Sequence, residues 1–399
     1  MKIFHGFNIS NLRGDFFGGL TAAVVALPLA LAFGVASGLG PLPGLYGAII
    51  VGFFAALFGG TSTQISGPTG PMTVVIASIF LHFDRNLEIV FFIISLSGLM
   101  QVLVGCTNLG TYVKTIPDSV VTGFMSGIGI IIICLQIPVL LGLGSEGNVI
   151  SSLLKLQYIS DYKIDSLIIG LTGLLIMVFV SKKIDSYIPR PVIALIVGSL
   201  LASFYFTNQT LIGYIPSGIP SFSIYIPTLV ELPEIIFYAA MLASLGVIDS
   251  LLTSIVADNM TNTNHMPNKE SIGQGIGNFF SGLLGGLAGA GATMRTVINI
   301  QSGGKTPFSG LLHSVVLIMI LMFFGSYAGM IPLAILASIL LKVGYDIIDW
   351  NFVYSIKSKS KIDIFIALAV ILMIVFINKT LEPIEQLEPI ITFFSTIVL

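Results

Sequence analysis

The sequence predicts an all-α polytopic membrane protein. About fourteen transmembrane segments form two inverted seven-helix repeats, with two half-helices meeting near the midplane. Three observations carry this. Of the 399 residues, 55% are hydrophobic and only 9% are charged, and mean hydropathy is +1.00. A soluble domain carries roughly 25% charged residues, so a soluble enzyme and a disordered chain are both excluded. Apolar runs long enough to span a bilayer recur along the whole chain with short loops between them. Two of these runs are short, open on glycine-rich sequence and resemble each other.

In chain order, MKIFHGFNISNLRGD is not read as a signal peptide, because the first apolar run begins only after Asp15. Hydropathy places spans at 16–38 and 43–60. The third, 70–83, is short and follows SGPTGP. Spans 87–109, 118–142, 164–181 and 190–206 complete a first repeat over about 14–206. The loop from Thr207 to Pro233 carries no Lys or Arg. The second repeat, about 234–399, holds spans 234–257 and 270–288, the short 293–303, then 307–328, 331–346, 362–378 and 388–399. Glu382, Glu385 and Glu388 leave the last span with only about ten clearly apolar residues, half of what a spanning helix needs. No hydrophilic stretch is long enough for a soluble domain, so 1–399 read as a single membrane domain.

Orientation follows from Lys and Arg, which favour cytoplasmic loops. With the N-terminus in the cytoplasm, Lys2, Arg13, Lys114, Lys182, Lys183, Arg190, Lys269, Lys305, Lys342, Lys357, Lys359 and Lys361 fall inside. Only Arg85, Lys155, Lys163 and Lys379 fall outside. Arg295 belongs to neither set.

The two short segments are SGPTGPMTVVIAS (66–78) and GAGATMRTVINIQSGG (289–304). They align at an offset of 222 residues, Met72 with Met294, Val75 with Val297 and Ile76 with Ile298. Short, Gly/Pro-interrupted spans at matching positions of two halves point to inverted repeats in a secondary transporter. Seven spans per half, an odd number, give the halves opposite topology. Each half-helix leaves its first N–H groups without intrahelical partners, and its aligned dipoles make that end partly positive. Two such ends form an anion site without a buried cation. Irregular backbone survives at that depth only where it lines an enclosed cavity. The sequence thus predicts a small anion held between Thr69–Gly70 and Ala292–Thr293.

Asp249 lies mid-span in EIIFYAAMLASLGVIDSLLTSIVAD, with Thr253 at i+4 on the same helix face. A carboxylate at that depth is costly and is a functional candidate. Carboxylate plus hydroxyl is hard-oxygen chemistry, suited to Na⁺ or to a proton and not to zinc; the plainer alternative is a neutral Asp pinning two helices. Asp258 reads as a helix-terminus residue. Arg295, two residues past Thr293, adds positive field to the anion site, pairs with Asp249 when no cation is bound, or reaches cytoplasmic water. Gln274, Asn299 and Gln301 read as interhelical hydrogen bonders. Cys106 and Cys134 read as small core residues, and His5, His82, His265 and His313, which lack ligand spacing, as structural or loop residues. There is no HExxH, no Ser/His/Asp set and no pair of intramembrane histidines, so no enzyme, no organic cofactor and no metal beyond Na⁺ is expected. A net charge of −2 without a basic footprint argues against nucleic acid.

At these residues the chain resembles the sulfate permease (SulP) family of inorganic anion transporters. The resemblance covers essentially the whole chain. It runs through GDFFGGLTAAVVALPLALAFGVASGLGPLPGLYGAI, FGGTSTQISGPTGPMTV, DSLLTSIVADNMTNTNHMPNKESIGQGIGN and GGLAGAGATMRTVINIQSGGKTPFSGL. ALPLALAFG, Asp249 with Thr253, and GAGATM look like the family's cyanobacterial sodium-dependent bicarbonate branch. The resemblance implies a core and a gate domain, with the anion site between the third and tenth helices. It implies sodium on Asp249, Thr253, Gly291 and Thr293. It implies anion contacts at Thr69, Ala292 and Thr293, to which Phe33, Gly70 and Arg295 are added as candidates. That branch has Glu where this chain has Gly67 and Gly where it has Arg295; at both positions this chain follows the general sulfate-permease pattern. Relatives usually carry a cytoplasmic STAS domain after the last helix, and none is read within 1–399. The expected function is Na⁺-coupled bicarbonate uptake by alternating access. The alternatives are a sulfate or other anion permease, proton-coupled or exchanging, and a passive anion channel. The expected setting is a bacterial-type inner membrane with the N-terminus cytoplasmic, and a second copy of the chain is a candidate partner.

Overall fold

A computed structural model describes residues 6, 11–111, 117–144, 149–185, 188–206, 210–213, 225–356 and 359–377. In chain order the elements are α1 (Leu12–Ala36), α2 (Pro41–Phe58), β1 (Ser66–Gly67), α3 (Gly70–His82), α4 (Leu87–Cys106), α5 (Asp118–Leu140), α6 (Val149–Lys155), α7 (Ile164–Phe179), α8 (Lys182–Asp185) and α9 (Arg190–Phe204). Then come α10 (Leu232–Thr261), α11 (Pro267–Leu283), β2 (Ala290–Gly291), α12 (Thr293–Gln301), α13 (Pro307–Ala328), α14 (Leu333–Ile347), α15 (Trp350–Tyr354) and α16 (Lys361–Ile377). Among the described helices, α1, α2, α4, α5 and α10 are each at least 18 residues long and apolar enough to cross a membrane. The predicted spans from 16–38 to 362–378 all fall on helices, and 388–399 lies outside the described residues.

Local chemistry sets the ends. Proline stands at the first or second position of α2, α3, α9, α10 and α11, where its missing N–H costs no hydrogen bond. Asn86 caps α4, its side chain accepting from Glu88 N at 3.0 Å and Ile89 N at 3.3 Å. α10 runs 30 residues, well past the predicted 234–257, and stops where Asn262 turns left-handed (φ 52°). Asp258 in its last turn accepts from Thr263 Oγ1 at 3.0 Å and His265 N at 2.9 Å, as a helix-terminus residue should. Cys106 is a correction: it is exposed at the outer face of the last turn of α4, so its apolar neighbourhood in sequence did not make it core.

Two groups of helices emerge from the packing. In the first, α11 packs on α4 and α2, α1 on α13 and α2, and α10 on α4. Glycines let these backbones touch: a Cβ on Gly98 would lie 2.2 Å from Phe279 N, and one on Gly275 would lie 2.6 Å from Gly98 O. In the second group, α5 packs on α14 and α16, α14 on α7, and α7 on α9. α1 and α3 meet the second group through a shared apolar core that includes Leu31, Phe33, Val74, Ile131, Ile132, Ile335 and Ile339. Asp15, buried within α1, accepts from Thr306 Oγ1 (2.7 Å), Lys305 N (2.8 Å) and Thr306 N (3.0 Å), tying the start of α1 to the link between α12 and α13.

Candidate functional site

The glycine-rich approaches to the two short helices are more ordered than expected: they pair. β1 and β2 form a two-stranded antiparallel ladder in which Ser66 faces Gly291 and Gly67 faces Ala290. Ala292 N donates to Ile65 O (2.9 Å), and Ile65 N donates to Thr296 Oγ1 (3.0 Å). Each strand runs directly into a short helix, α3 from its N-cap Thr69 and α12 from its N-cap Ala292. That spacing is one residue longer than the 222-residue sequence offset. The ladder thus brings two helix N-termini side by side.

The first intrahelical bonds are Thr73 N to Thr69 O (3.0 Å) and Thr296 N to Ala292 O (2.9 Å). The N–H groups of Gly70 and Met72, and those of Thr293, Met294 and Arg295, come before them and have no intrahelical acceptor; Pro71 has no N–H to offer. The two ends differ in surroundings. Thr293 is exposed, whereas Thr69 and Ala292 are buried. A Cβ on Gly70 would meet Ile132 Cδ1 at 2.8 Å and Ile347 Cδ1 at 3.1 Å, so residues of α5 and α14 cover the start of α3. Phe33 lines a small cavity beside Gly70 with Thr73, Val74, Ile132 and Gln136.

α10 crosses behind the ladder. Ser250 Oγ accepts from Gly291 N (3.0 Å), and Thr253 Oγ1 donates to Gly291 O (2.9 Å). With that proton committed, the Thr293 hydroxyl, 2.8 Å away, is the donor to Thr253 Oγ1. Asp249, one turn earlier, is 8% exposed, and its Oδ2 is buried with no hydrogen-bond partner. The Thr69 hydroxyl faces this carboxylate without completing an ordinary hydrogen bond, and Arg295 bears on it electrostatically. Thr253, Gly291 and Thr293 are therefore brought together, with Asp249 one helical turn before Thr253 on the same helix. The oxygens of a carboxylate, two hydroxyls and a carbonyl fit a hard cation, and an orphaned buried carboxylate oxygen calls for a positive partner.

Arg295 does not reach water: it is 2% exposed. Its Nη2 donates to Pro68 O (2.7 Å), while Nη1 has no partner. Gly67 makes room for it. A Cβ there would lie 2.7 Å from Nη1, and φ is +150°. Gln274 and Asn299 do bond between elements, to Ser66 Oγ (2.6 Å) and Thr63 O (2.8 Å) respectively, whereas Gln301 is exposed at the end of α12. Sequence reasoning missed Glu270, Gln64 and Ser250. Glu270 is buried although its NKES context reads as a polar helix start; the signal present was its i+4 spacing from Gln274 along a glycine-rich face. His313 is fully buried on α13 with both ring nitrogens unpartnered.

Comparison with known proteins gives the family and the fold. The model of the sulfate permease family matches residues 12–370. The bicarbonate transporter BicA of Picosynechococcus sp. is 47% identical over 391 residues, covering 95% of this chain and 69% of the relative. The putative sulfate transporter YvdB of Bacillus subtilis is 34% identical, covering 92% and 70%. The solved transmembrane domain of a cyanobacterium bicarbonate transporter BicA superposes with a TM-score of 0.89 at 44% identity, over 94% of this chain and 98% of that one. The structure of SLC26A9, at 18% identity, shares the fold with a TM-score of 0.79 over 94% of this chain and 67% of that one.

Proposed function

This chain belongs to the sulfate permease family, and from that premise we propose that it is a secondary active transporter that takes up bicarbonate together with sodium by alternating access. The observation that carries the reading is Asp249 Oδ2, buried and unpartnered beside two converging helix N-termini. Sodium, as a transported ion, would lie on Asp249, Thr253, Gly291 and Thr293. The anion would lie against the free N–H groups of α3 and α12, with Thr69, Gly70, Ala292 and Thr293 as its nearest residues and Phe33 beside them.

Charge balance links the two ions. Each helix N-terminus offers about +0.5, so the pair matches one anionic charge. Arg295, buried near Asp249, offsets part of the carboxylate's charge, and sodium on Asp249 leaves that guanidinium free to act on the anion. Without sodium Arg295 is drawn to the carboxylate, and with sodium bound the field at the helix N-termini is more positive, so each ion favours binding of the other. Symport follows from that mutual dependence.

Alternating access is supported by the asymmetry at the two helix starts: Thr293 is exposed, whereas Gly70 is covered by Ile132 and Ile347. In this reading the group containing α1–α4 and α10–α13 is the core, and α5, α7, α9, α14 and α16 form the gate. Each group draws helices from both halves of the chain, and in this reading the core carries the site past the gate as a unit. A second reading, a permease for divalent sulfate, is favoured by Arg295, whose buried Nη1 adds a positive charge near the site. The deciding experiment is Asp249→Asn in membrane vesicles. It is expected to abolish sodium-stimulated uptake of labelled bicarbonate while the protein still inserts. Undiminished sodium stimulation removes the cation site.

A further inference from the structure

Glu270 lies outside both proposed ion sites, yet it is a carboxylate buried to 1% exposure. Four donors converge on it. Oε2 accepts from Gly60 N (2.8 Å) and Thr61 N (2.9 Å), and Oε1 accepts from Gln64 Nε2 and Gln274 Nε2, both at 2.8 Å. Only an ionised carboxylate can accept from all four; a neutral acid or an amide would turn a donor against a donor.

The two amides that Glu270 orients end on the same place. Gln274 Nε2 also donates to Ser66 Oγ at 2.6 Å. Gln64, with its NH₂ fixed by Glu270, turns Oε1 to accept from Ser254 Oγ at 3.0 Å. Its amide then lies flat against Gly291: a Cβ there would be 2.3 Å from Gln64 Nε2 and 2.6 Å from Gln64 Cδ. Ser66 and Gly291 are partners in the ladder. Gly291 is held on three sides, by Ser250 at its N–H, Thr253 at its carbonyl and Gln64 at its Cα. Of these supports, the Gln64 amide is the one whose orientation is set by a buried charge.

We infer that Glu270 is a positioning residue for the cation half of the site, acting through Gln64 and Gln274 to fix the Ser66–Gly291 pair and so the direction of the Gly291 carbonyl. The inference rests on the sodium reading above. Outer supports of a metal site typically change affinity 10–100-fold when removed. Glu270→Gln flips or displaces the Gln64 amide, and the Gly291 carbonyl loses its fixed direction. The free N–H groups at the start of α3, which serve the anion, are bonded to neither amide and lie beyond Ser66 and Pro68, so the anion half is disturbed less.

The test is uptake of labelled bicarbonate into proteoliposomes, with sodium varied at fixed anion and anion varied at saturating sodium. For Glu270→Gln the sodium half-saturation should rise about tenfold, with the anion KM changed less than about twofold. A residue needed only for folding would lower the amount of inserted protein and its thermal midpoint, leaving the sodium half-saturation of the surviving protein unchanged; that result overturns the inference. If Glu270→Gln does not insert, Gln64→Ala, which removes the link and leaves three donors on Glu270, is judged by the same criterion. Sodium-independent uptake by the unaltered protein overturns the sodium reading and this inference together. Sodium-dependent uptake with an unchanged half-saturation in the variant overturns this inference alone.

Discussion

Asp249, Arg295 and Gly67 are the residues on which the behaviour of the site turns. Thr253 supplies one neutral oxygen where Asp249 supplies a charge. Thr253→Ala should therefore raise the sodium requirement at an unchanged maximal rate, in the direction of Asp249→Asn but by less, as read from sodium titrations of uptake. Arg295 bears on substrate choice. At an effective dielectric of ~20 and ~8 Å, a guanidinium attracts each unit of anion charge by about 2 kcal/mol. The second charge of sulfate gains that amount again, less its larger desolvation cost. Arg295→Gly should then reduce sulfate transport, or inhibition by sulfate, much more than bicarbonate transport. An equal effect on both would make Arg295 a structural residue. Gly67 is required by Arg295, since a Cβ would lie 2.7 Å from Nη1 at a backbone φ of +150°. Gly67→Ala should destabilise the protein by about 1–3 kcal/mol through strain. Adding Arg295→Ala should recover part of that loss in a double-mutant cycle on the thermal midpoint in detergent.

At the scale of elements, the site is built by the ladder of β1 and β2 and by the glycine contacts that let α11 lie on α4. Gly98→Val places side-chain atoms where Phe279 N stands 2.2 Å from the Cβ position, and the thermal midpoint should fall. Leu99→Val, at a position 45% exposed, should leave it nearly unchanged. The helices were legible in the sequence because each carries a long apolar run, and the half-helices because glycine and proline interrupt two of those runs at matching places. The start of α3 was read correctly at residue 70, since Thr69 and Pro71 bracket it. The ladder was not legible. Two-residue strands have no periodicity, and their pairing joins residues more than 200 positions apart. Glu270 was hidden for a similar reason: three of its four donors come from the loop at 60–64, more than 200 positions away, and composition shows only an acidic residue in a helix's first turn. The fate of Arg295 was left open by sequence because its position on α12 does not say which way a long side chain folds; the carbonyl of Pro68 and the bare Gly67 settle it.

For the whole molecule, transport by alternating access requires that the site face one side at a time. Ala292→Cys should react with a small aqueous thiol reagent from one side only, with the side or the rate changing when sodium and anion are supplied. Equal reactivity from both sides at all times would indicate a channel. The central claim, however, is coupling. Its most direct measurement is the uptake of labelled bicarbonate into sealed vesicles carrying the purified protein, with an inward sodium gradient or with sodium replaced on both sides by a larger monovalent cation. The account predicts accumulation above the equilibrium level that follows the sodium gradient and collapses when the gradient is dissipated. Bicarbonate uptake of the same rate and extent without sodium would contradict it.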